Sequence, residues 1–258
     1  MKVIILAGGL GTRISEETYL KPKPMIEIGG KPILWHIMKY FSFYGHNDFI
    51  ICCGYKGEVI KNYFHNYFLL NSDVTFDLNI NKFKIHSKSK EKWKVTLIDT
   101  GQNTETGGRL KNVGSYLKND ENFFFTYGDG LSDVNLDRLL KFHTSSKSLA
   151  TVTAVQPPGR YGALSIDKKC IVKKFEEKPS GDGAYVNGGY FILNKKCIKF
   201  IDNNFTKWEE EPLENLAKQK KLGAFKHNGF WRPLDTLRDK KMLQILWEED
   251  KAPWKKWK

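Results

Sequence analysis

A short apolar run, Lys2-Val3-Ile4-Ile5-Leu6, delivers the chain into three glycines within four positions, Gly8-Gly9-Leu10-Gly11, and then into Thr12-Arg13. A continuous apolar run of this length reads as a strand buried on both faces. Glycines directly after it let the backbone approach a ligand closely and turn its N–H groups toward anionic oxygens. In an open α/β sheet, ligands collect beyond the carboxyl ends of the strands. This one junction therefore restricts both the fold class and the place where a site can form. Its spacing does not fit the dinucleotide fingerprint GxGxxG, and no GK[ST] follows that would make a Walker A loop. Downstream lies Lys21-Pro22-Lys23-Pro24-Met25. Arg13 offers a planar charged fork and Lys23 a compact point charge, both suited to phosphates, and Pro22 and Pro24 stiffen the backbone around Lys23. Together these make a loop for holding and polarising a polyphosphate.

The remaining pattern extends the same architecture. Ile33, Ile37, Tyr40, Phe41 and Tyr44 recur at helical spacing within Lys31–Tyr44, with Gly45 as the stop. Asp48–Cys53 reads as a second strand and Glu58–Tyr67 as a second helix. This β-α-β-α order predicts an α/β fold: a Rossmann-like, doubly wound, mixed but mainly parallel sheet flanked by helices. Alternation across Val74–Ile98 suggests a small antiparallel hairpin inserted at a sheet edge, spanning about 73–99. A helix around Gly108–Leu117, a strand at Asn122–Tyr127 and a helix near Leu136–His143 follow. After Leu149–Val155, the short strands Ala163–Ile166 and Ile171–Phe175 read as a hairpin turning at Asp167-Lys168-Lys169, and Val186–Leu193 returns to the sheet. Helices are expected at Lys196–Ile201, Pro212–Lys220 and Thr236–Trp247. Without repeats, low-complexity tracts or a linker, residues 1–258 are expected to form a single domain, with 195–258 as a small C-terminal helical portion.

Composition narrows the function classes. Apolar stretches such as Phe49–Cys53 and Phe123–Phe125 are too short to span a bilayer, and the N-terminus lacks the form of a signal peptide. A cytoplasmic protein with no membrane partner is expected. Cys52 and Cys53 adjoin within a strand, and Cys170 and Cys197 stand alone, so buried free thiols are expected rather than disulfides or a zinc site. The net charge of +13 suits nucleic acid, but equally a small, densely anionic substrate. Much of the excess lies in Lys82–Lys94 and Lys251–Lys258, which read as solvated faces and a frayed end. No stacking module, zinc knuckle or helix-turn-helix accompanies it, so no nucleic-acid partner is expected.

Several further residues carry chemistry in more than one way. Asp129, between Gly128 and Gly130 at a strand's end, is a turn residue or a ligand for a hard cation such as Mg²⁺. Asp235 is an N-cap for the last helix, or a second such ligand, or both. Thr106-Gly107-Gly108-Arg109 is a glycine-rich helix start or a seat for a flat base. Glu176-Glu177-Lys178-Pro179 reads by itself as a solvated turn.

Taken together, Gly8-Gly9-x-Gly11-Thr12-Arg13 with Lys21-Pro22-Lys23-Pro24-Met25 resembles the signature of the sugar-1-phosphate nucleotidyltransferases. Many members carry Leu-x-Pro-Leu-Thr after the arginine, whereas this chain has Ile14-Ser15-Glu16-Glu17-Thr18. That departure resembles the branch using CTP and glucose 1-phosphate, as do Thr106–Arg109, Phe125–Gly130, Pro157–Leu164 and Gly229–Asp239. The resemblance runs over nearly the whole chain.

It implies a nucleotide held by Leu6, Ala7, Gly8, Gly9, Gly11, Thr12, Arg13, Lys23, Thr106, Gly107, Arg109 and Gly128. It implies a sugar phosphate held by Tyr127, Gly162, Glu177, Lys178, Asn187 and Gly188. Mg²⁺ is the implied cofactor on Asp129 and Asp235, and Arg13 and Lys23 are the implied catalytic residues. The implied reaction is CTP plus glucose 1-phosphate giving CDP-glucose and pyrophosphate. It serves bacterial surface polysaccharide (O-antigen) synthesis, by a homo-oligomer that is often a hexamer. The base is not fixed by the residues themselves. The same chemistry with UTP, dTTP or GTP, and a non-catalytic nucleotide sensor, stand as alternatives. Aromatic segments Tyr40–Tyr44 and Tyr63–Leu70 serve either an interface or core packing.

Overall fold

The computed structural model describes residues 1–86, 91–118, 120–157, 159, 163–168, 170–176 and 184–257. Seven strands form the central sheet: β1 Lys2–Leu6, β2 Asp48–Cys53, β3 Lys94–Asp99, β4 Asn122–Tyr127, β5 Ala150–Val155, β6 Val186–Asn194 and β7 Leu222–His227. Their spatial order is β7-β5-β6-β4-β1-β2-β3. β1 pairs parallel with β2 and β4, β2 with β3, and β5 with β7, while β6 runs antiparallel to both its neighbours. The sheet is thus mixed and mainly parallel. The chain leaves β1 in one direction for β2 and β3 and returns on its other side with β4. That reversal opens a crevice at the carboxyl ends of β1 and β4, where Leu6 pairs with Tyr127.

Six longer helices cover the sheet: α1 Ile33–Phe43, α2 Gly57–His65, α3 Thr106–Asn112, α4 Leu136–Ser146, α5 Glu211–Lys218 and α6 Leu237–Glu248. Alternation along the strands divides the core. Val3, Ile5, Ile51 and Phe124 pack with Ile37 of α1, Leu139 of α4 and Leu243 of α6. Ile4, Leu6, Ile50 and Phe125 pack with Leu110 of α3, Trp208 and Leu216 of α5. Successive strand side chains point to opposite faces, so one apolar strand feeds two cores. Each fully buried Ile or Phe here contributes about 1.5–3 kcal/mol.

Several expectations are corrected. Of the segment 73–99, only Val74–Asp77 and Lys82–Ile85 form the antiparallel hairpin; Lys94–Asp99 is β3, the parallel edge strand. An edge strand half open to solvent alternates apolar and polar residues as a hairpin strand does. The portion 195–258 is not only helical, because it supplies β7 to the sheet and Trp231–Pro233 to a two-stranded ribbon with Gly130–Ser132. Lys196–Ile201 is a 3₁₀ turn at Lys195–Phe200. The helix expected around Gly108–Leu117 starts at Thr106 and ends at Asn112, so Thr106–Arg109 forms the first turn of α3, with a 3₁₀ turn at Gly114–Leu117 after it. Asp235 does not cap α6. Thr236 does: it accepts from the Asp239 N–H at 3.2 Å, while Asp239 accepts from the Thr236 N–H at 3.0 Å.

The tail is not frayed over its described residues. Ala252 and Trp254 are buried, and the Trp254 indole donates to His36 Nδ1 at 3.3 Å. His36 Nε2 lies 2.8 Å from the Ile28 carbonyl, within a shell of Trp35, Trp247, Trp254 and Trp257. Burial lowers its pKa to about 4, so the ring is neutral, donating from Nε2 and accepting at Nδ1. Of the four free cysteines, Cys52, Cys53 and Cys197 are buried but Cys170 is exposed. Tyr40 and Phe41 are buried in the core, whereas Phe43, Phe68 and Leu70 are exposed.

Candidate active site

The glycine turn is held from the protein side by its carbonyls. Gly8 O accepts from the Tyr55 N–H, and Gly11 O from the Ile14 N–H and the Thr18 hydroxyl. Gly11 has φ +65°, the left-handed region that favours glycine. Gly9 has open space where a side chain would stand. Gly8 differs, since a Cβ there would lie 2.2 Å from the Arg109 guanidinium. Arg109 is 4% exposed and donates to Gly8 O, Cys53 O, Gly101 O, Gln102 O and Thr100 Oγ1 at 2.7–3.2 Å. One buried fork thus ties the glycine turn to the ends of β2 and β3. Burial lowers its pKa, the penalty these five acceptors offset.

A cleft of about 480 Å³ opens beyond β1 and β4. Its walls include Leu6, Ala7, Gly9, Gly11, Thr12, Arg13, Lys23, Thr106, Arg109, Tyr127, Gly128, Asp129, Asn187, Gly188 and Asp235. Fifteen residues singled out from the sequence, from six separate stretches, therefore face one space. Gly8 and Gly107 stand behind the wall, where a Gly107 Cβ would meet the Thr206 carbonyl at 2.6 Å. Gly162, Glu177 and Lys178 lie outside the described residues. Gly128 is required by close approach: its N–H donates to Leu6 O at 2.8 Å, and a Cβ would lie 2.6 Å from that oxygen.

At the mouth, Lys23 Nζ lies 2.6 Å from Asp129 Oδ2 and 2.6 Å from Asp235 Oδ1, and Arg13 Nη1 lies 3.0 Å from Asp235 Oδ2. Asp129 follows β4, and Asp235 is brought across by the ribbon that pairs Trp231–Pro233 with Gly130–Ser132. Burial of the Lys23 ammonium works against its charge, but the two aspartates outweigh it and raise its pKa. Burial of Asp235 likewise works against ionisation, yet Lys23 first and Arg13 second hold its pKa below the ordinary carboxylate range. Lys23 and Asp235 are both shifted toward their charged forms. Two carboxylates already share one cation, and paired carboxylates completed by phosphate oxygens and water are the donor set a magnesium ion takes. Among the described residues, no group of three or more His, Cys, Asp or Glu is placed to hold a metal ion.

Trp231 and Gly189 line the far wall and Glu209 stands beside it; of these the sequence singles out neither Trp231 nor Glu209. Trp231 donates from its indole to Gly188 O at 2.7 Å and lines the cleft. Gly189, at φ +76°, lies against the Tyr127 ring. Glu209 accepts from the Thr106 hydroxyl at 2.5 Å and from the Tyr127 hydroxyl. It sits inside Glu209-Glu210-Glu211, an acidic run that gives no signal of a cleft residue.

A family model described as Nucleotidyl transferase matches residues 2–239. The glucose-1-phosphate cytidylyltransferase of Salmonella typhimurium is 60% identical over 257 residues, the full length of both chains. The probable glucose-1-phosphate cytidylyltransferase of Bacillus subtilis is 42% identical over 259 residues, again covering both chains entirely. Among solved structures, HddC from Yersinia pseudotuberculosis matches with a TM-score of 0.67 at 26% identity, over 95% of this chain and 99% of that one.

Proposed function

The chain belongs to the nucleotidyl transferase family, and we propose that it transfers CMP from CTP to α-D-glucose 1-phosphate, releasing pyrophosphate and CDP-glucose. The observation that carries the reading is the shared ammonium. Asp129 and Asp235 converge on Lys23 beside a glycine turn, so cation, anion and bare backbone meet at one point. The full-length likeness to cytidylyltransferases supplies the base and the sugar.

In this reading the triphosphate lies along Gly9–Arg13 and the sugar phosphate lies toward Tyr127, Asn187 and Gly188. A sugar phosphate oxygen attacks the α-phosphorus in line, forming the new P–O bond as the bond to the pyrophosphate oxygen breaks. The attacking phosphate is already anionic near neutral pH, so no general base is needed, and the leaving pyrophosphate carries the displaced electron pair. The obstacle is repulsion between two anions, which positioned charge removes. Lys23 and Arg13 are each one hydrogen bond from an aspartate and open onto the cleft. Both are donors of the kind that phosphate oxygens accept from. Asp129 and Asp235 would hold Mg²⁺, which neutralises triphosphate charge when bound. Arg109 keeps the turn that receives the triphosphate in place from behind.

Family resemblance extends the reading to a cytoplasmic homo-oligomer, of hexameric form, supplying nucleotide sugars for surface polysaccharide. Among the described residues, no helix is long and apolar enough to cross a membrane. The test is a pyrophosphate-release assay crossing CTP, UTP, dTTP and GTP with several hexose 1-phosphates, with and without Mg²⁺. CTP with glucose 1-phosphate and Mg²⁺ is expected to give the highest kcat/KM. Equal turnover with UTP, or full turnover in excess chelator, would overturn the assignment.

A further inference from the structure

Glu209 joins the two halves of the cleft. Thr106, at the start of α3, gives its hydroxyl hydrogen to Glu209 Oε2 at 2.5 Å and accepts the Trp208 N–H at 2.9 Å. Tyr127, at the end of β4, gives its hydroxyl hydrogen to Glu209 Oε1 and accepts from Asn187 Nδ2 at 3.3 Å. Asn187 is oriented in turn, because its Oδ1 accepts the Gly189 N–H at 2.8 Å. The directions are forced by chemistry. An ionised carboxylate only accepts, and a hydroxyl has one hydrogen to give. Thr106, Tyr127 and Asn187 all line the cleft, whereas Glu209 acts from beside it.

We propose that Glu209 is a positioning residue that fixes the hydroxyls of Tyr127 and Thr106 as acceptors toward the substrates. With both hydrogens committed to one carboxylate, and one lone pair of Tyr127 taken by Asn187, Tyr127 keeps a single lone pair for the sugar side of the cleft. It therefore recognises a ligand group that donates, as a hexose hydroxyl does. Thr106, which also accepts the Trp208 N–H, likewise keeps one lone pair for the nucleotide side. Burial first, and the Glu209 charge second, keep the Tyr127 phenol protonated well beyond neutral pH, so its hydrogen stays available to Glu209. The inference rests on the reading of the cleft as a seat for CTP and glucose 1-phosphate.

The test is Glu209→Gln, whose amide must turn a donor toward one of the two hydroxyls and so reverse its direction. Glu209 is exposed, and the variant is expected to fold with an unchanged Tm. KM for glucose 1-phosphate is expected to rise about tenfold, the loss of roughly one charge-assisted hydrogen bond, with kcat within about threefold of wild type. A cycle with Tyr127→Phe separates positioning from general disturbance. If Glu209 acts through the Tyr127 hydroxyl, the double variant keeps the KM of Tyr127→Phe to within about twofold. A KM unmoved in Glu209→Gln, effects that multiply in the double variant, or a fall in kcat alone each overturn the inference. The wild-type control separates this claim from the one beneath it. An active wild type with any of those results overturns only the role of Glu209. A wild type that neither binds nor turns over this substrate pair overturns the reading of the cleft and this inference with it.

Discussion

The two aspartates at the cleft mouth stand at the same distance from Lys23, yet the regions that deliver them are built differently. Asp129 follows β4, whose neighbours on both sides are paired strands, so main-chain ladders within a doubly covered sheet set its position. Asp235 is delivered by a C-terminal strap. Three ribbon residues and the Leu234 N–H, which donates to Asp129 O at 2.8 Å, tie it to the sheet side by backbone, and the Thr236–Asp239 capping box, α6 and the tail back that short ribbon by side-chain packing around His36. A ladder is set by backbone shared among many residues, whereas the strap depends on a few particular side chains. Damage near Asp129 should therefore appear in the chemistry, and damage to the strap should appear first in stability.

The largest effect is expected where the two regions meet. Removing the Lys23 ammonium leaves Asp129 and Asp235 without the cation they share and takes a preorganised donor from the phosphates. Lys23→Ala is expected to lower kcat about a thousandfold at saturating CTP, by analogy with loss of a preorganised donor. Steady-state pyrophosphate release checks this. A turnover within tenfold of wild type would remove Lys23 from the reaction.

Next comes the strap itself. Trp254 is fully buried against His36 and Phe230. Trp254→Ala should cost about 3–5 kcal/mol and lower Tm by roughly 10 °C. Calorimetry with activity measured well below Tm tests the comparison. If kcat fell a hundredfold while Tm held, the strap would be part of the chemistry and not a support.

Acid should find the same weak point. His36 has a pKa near 4 in the folded protein against 6.5 unfolded, so above pH 6.5 both states are neutral and its contribution is complete. Between pH 6.5 and 4 the unfolded chain takes a proton that the native ring refuses, and stability falls by roughly 3 kcal/mol. Below about pH 4 the native ring protonates too, and the loss levels off. Urea midpoints across this range measure it. A His36→Gln variant should show a shallower slope; an equal slope would place the acid sensitivity elsewhere.

The same division explains what could be read from the sequence. Everything belonging to the ladder announces itself locally: apolar β1, the glycine turn after it, the apolar run before Asp129. These signals lie within a few residues of the groups they place. β7, Leu222–His227, carries only weak alternation, and its strand character comes from pairing with β5 some seventy residues earlier in the chain. The tail's lysines suggested solvent because charge outnumbers apolar residues there, although Trp254 seeks the core and long lysine stems can lie along it. The capping box was hidden because Asp239 stands where Glu or Gln is usual. Glu209 was hidden because its partners are more than eighty residues away.

The smallest effect gives the finest test of the comparison. Thr236 lies directly after Asp235 and caps α6 through Asp239, which also lies 3.7 Å from Arg232. Thr236→Ala removes the cap's hydroxyl, at a cost of about 1 kcal/mol and a Tm lowered by roughly 2–4 °C. Since Asp235 lies between the short ribbon and the first turn of α6, loosening that turn should also weaken the carboxylate's grip on a cation. The concentration of Mg²⁺ giving half-maximal rate is expected to rise about threefold, an order-of-magnitude figure for a loss somewhat below the cap's full worth. A lowered Tm with an unmoved Mg²⁺ requirement would mean that the ribbon with Gly130–Ser132 positions Asp235 without help from α6. Asp235 would then be as firmly held as Asp129, and the contrast between the two deliveries would fail at the point where it matters to catalysis.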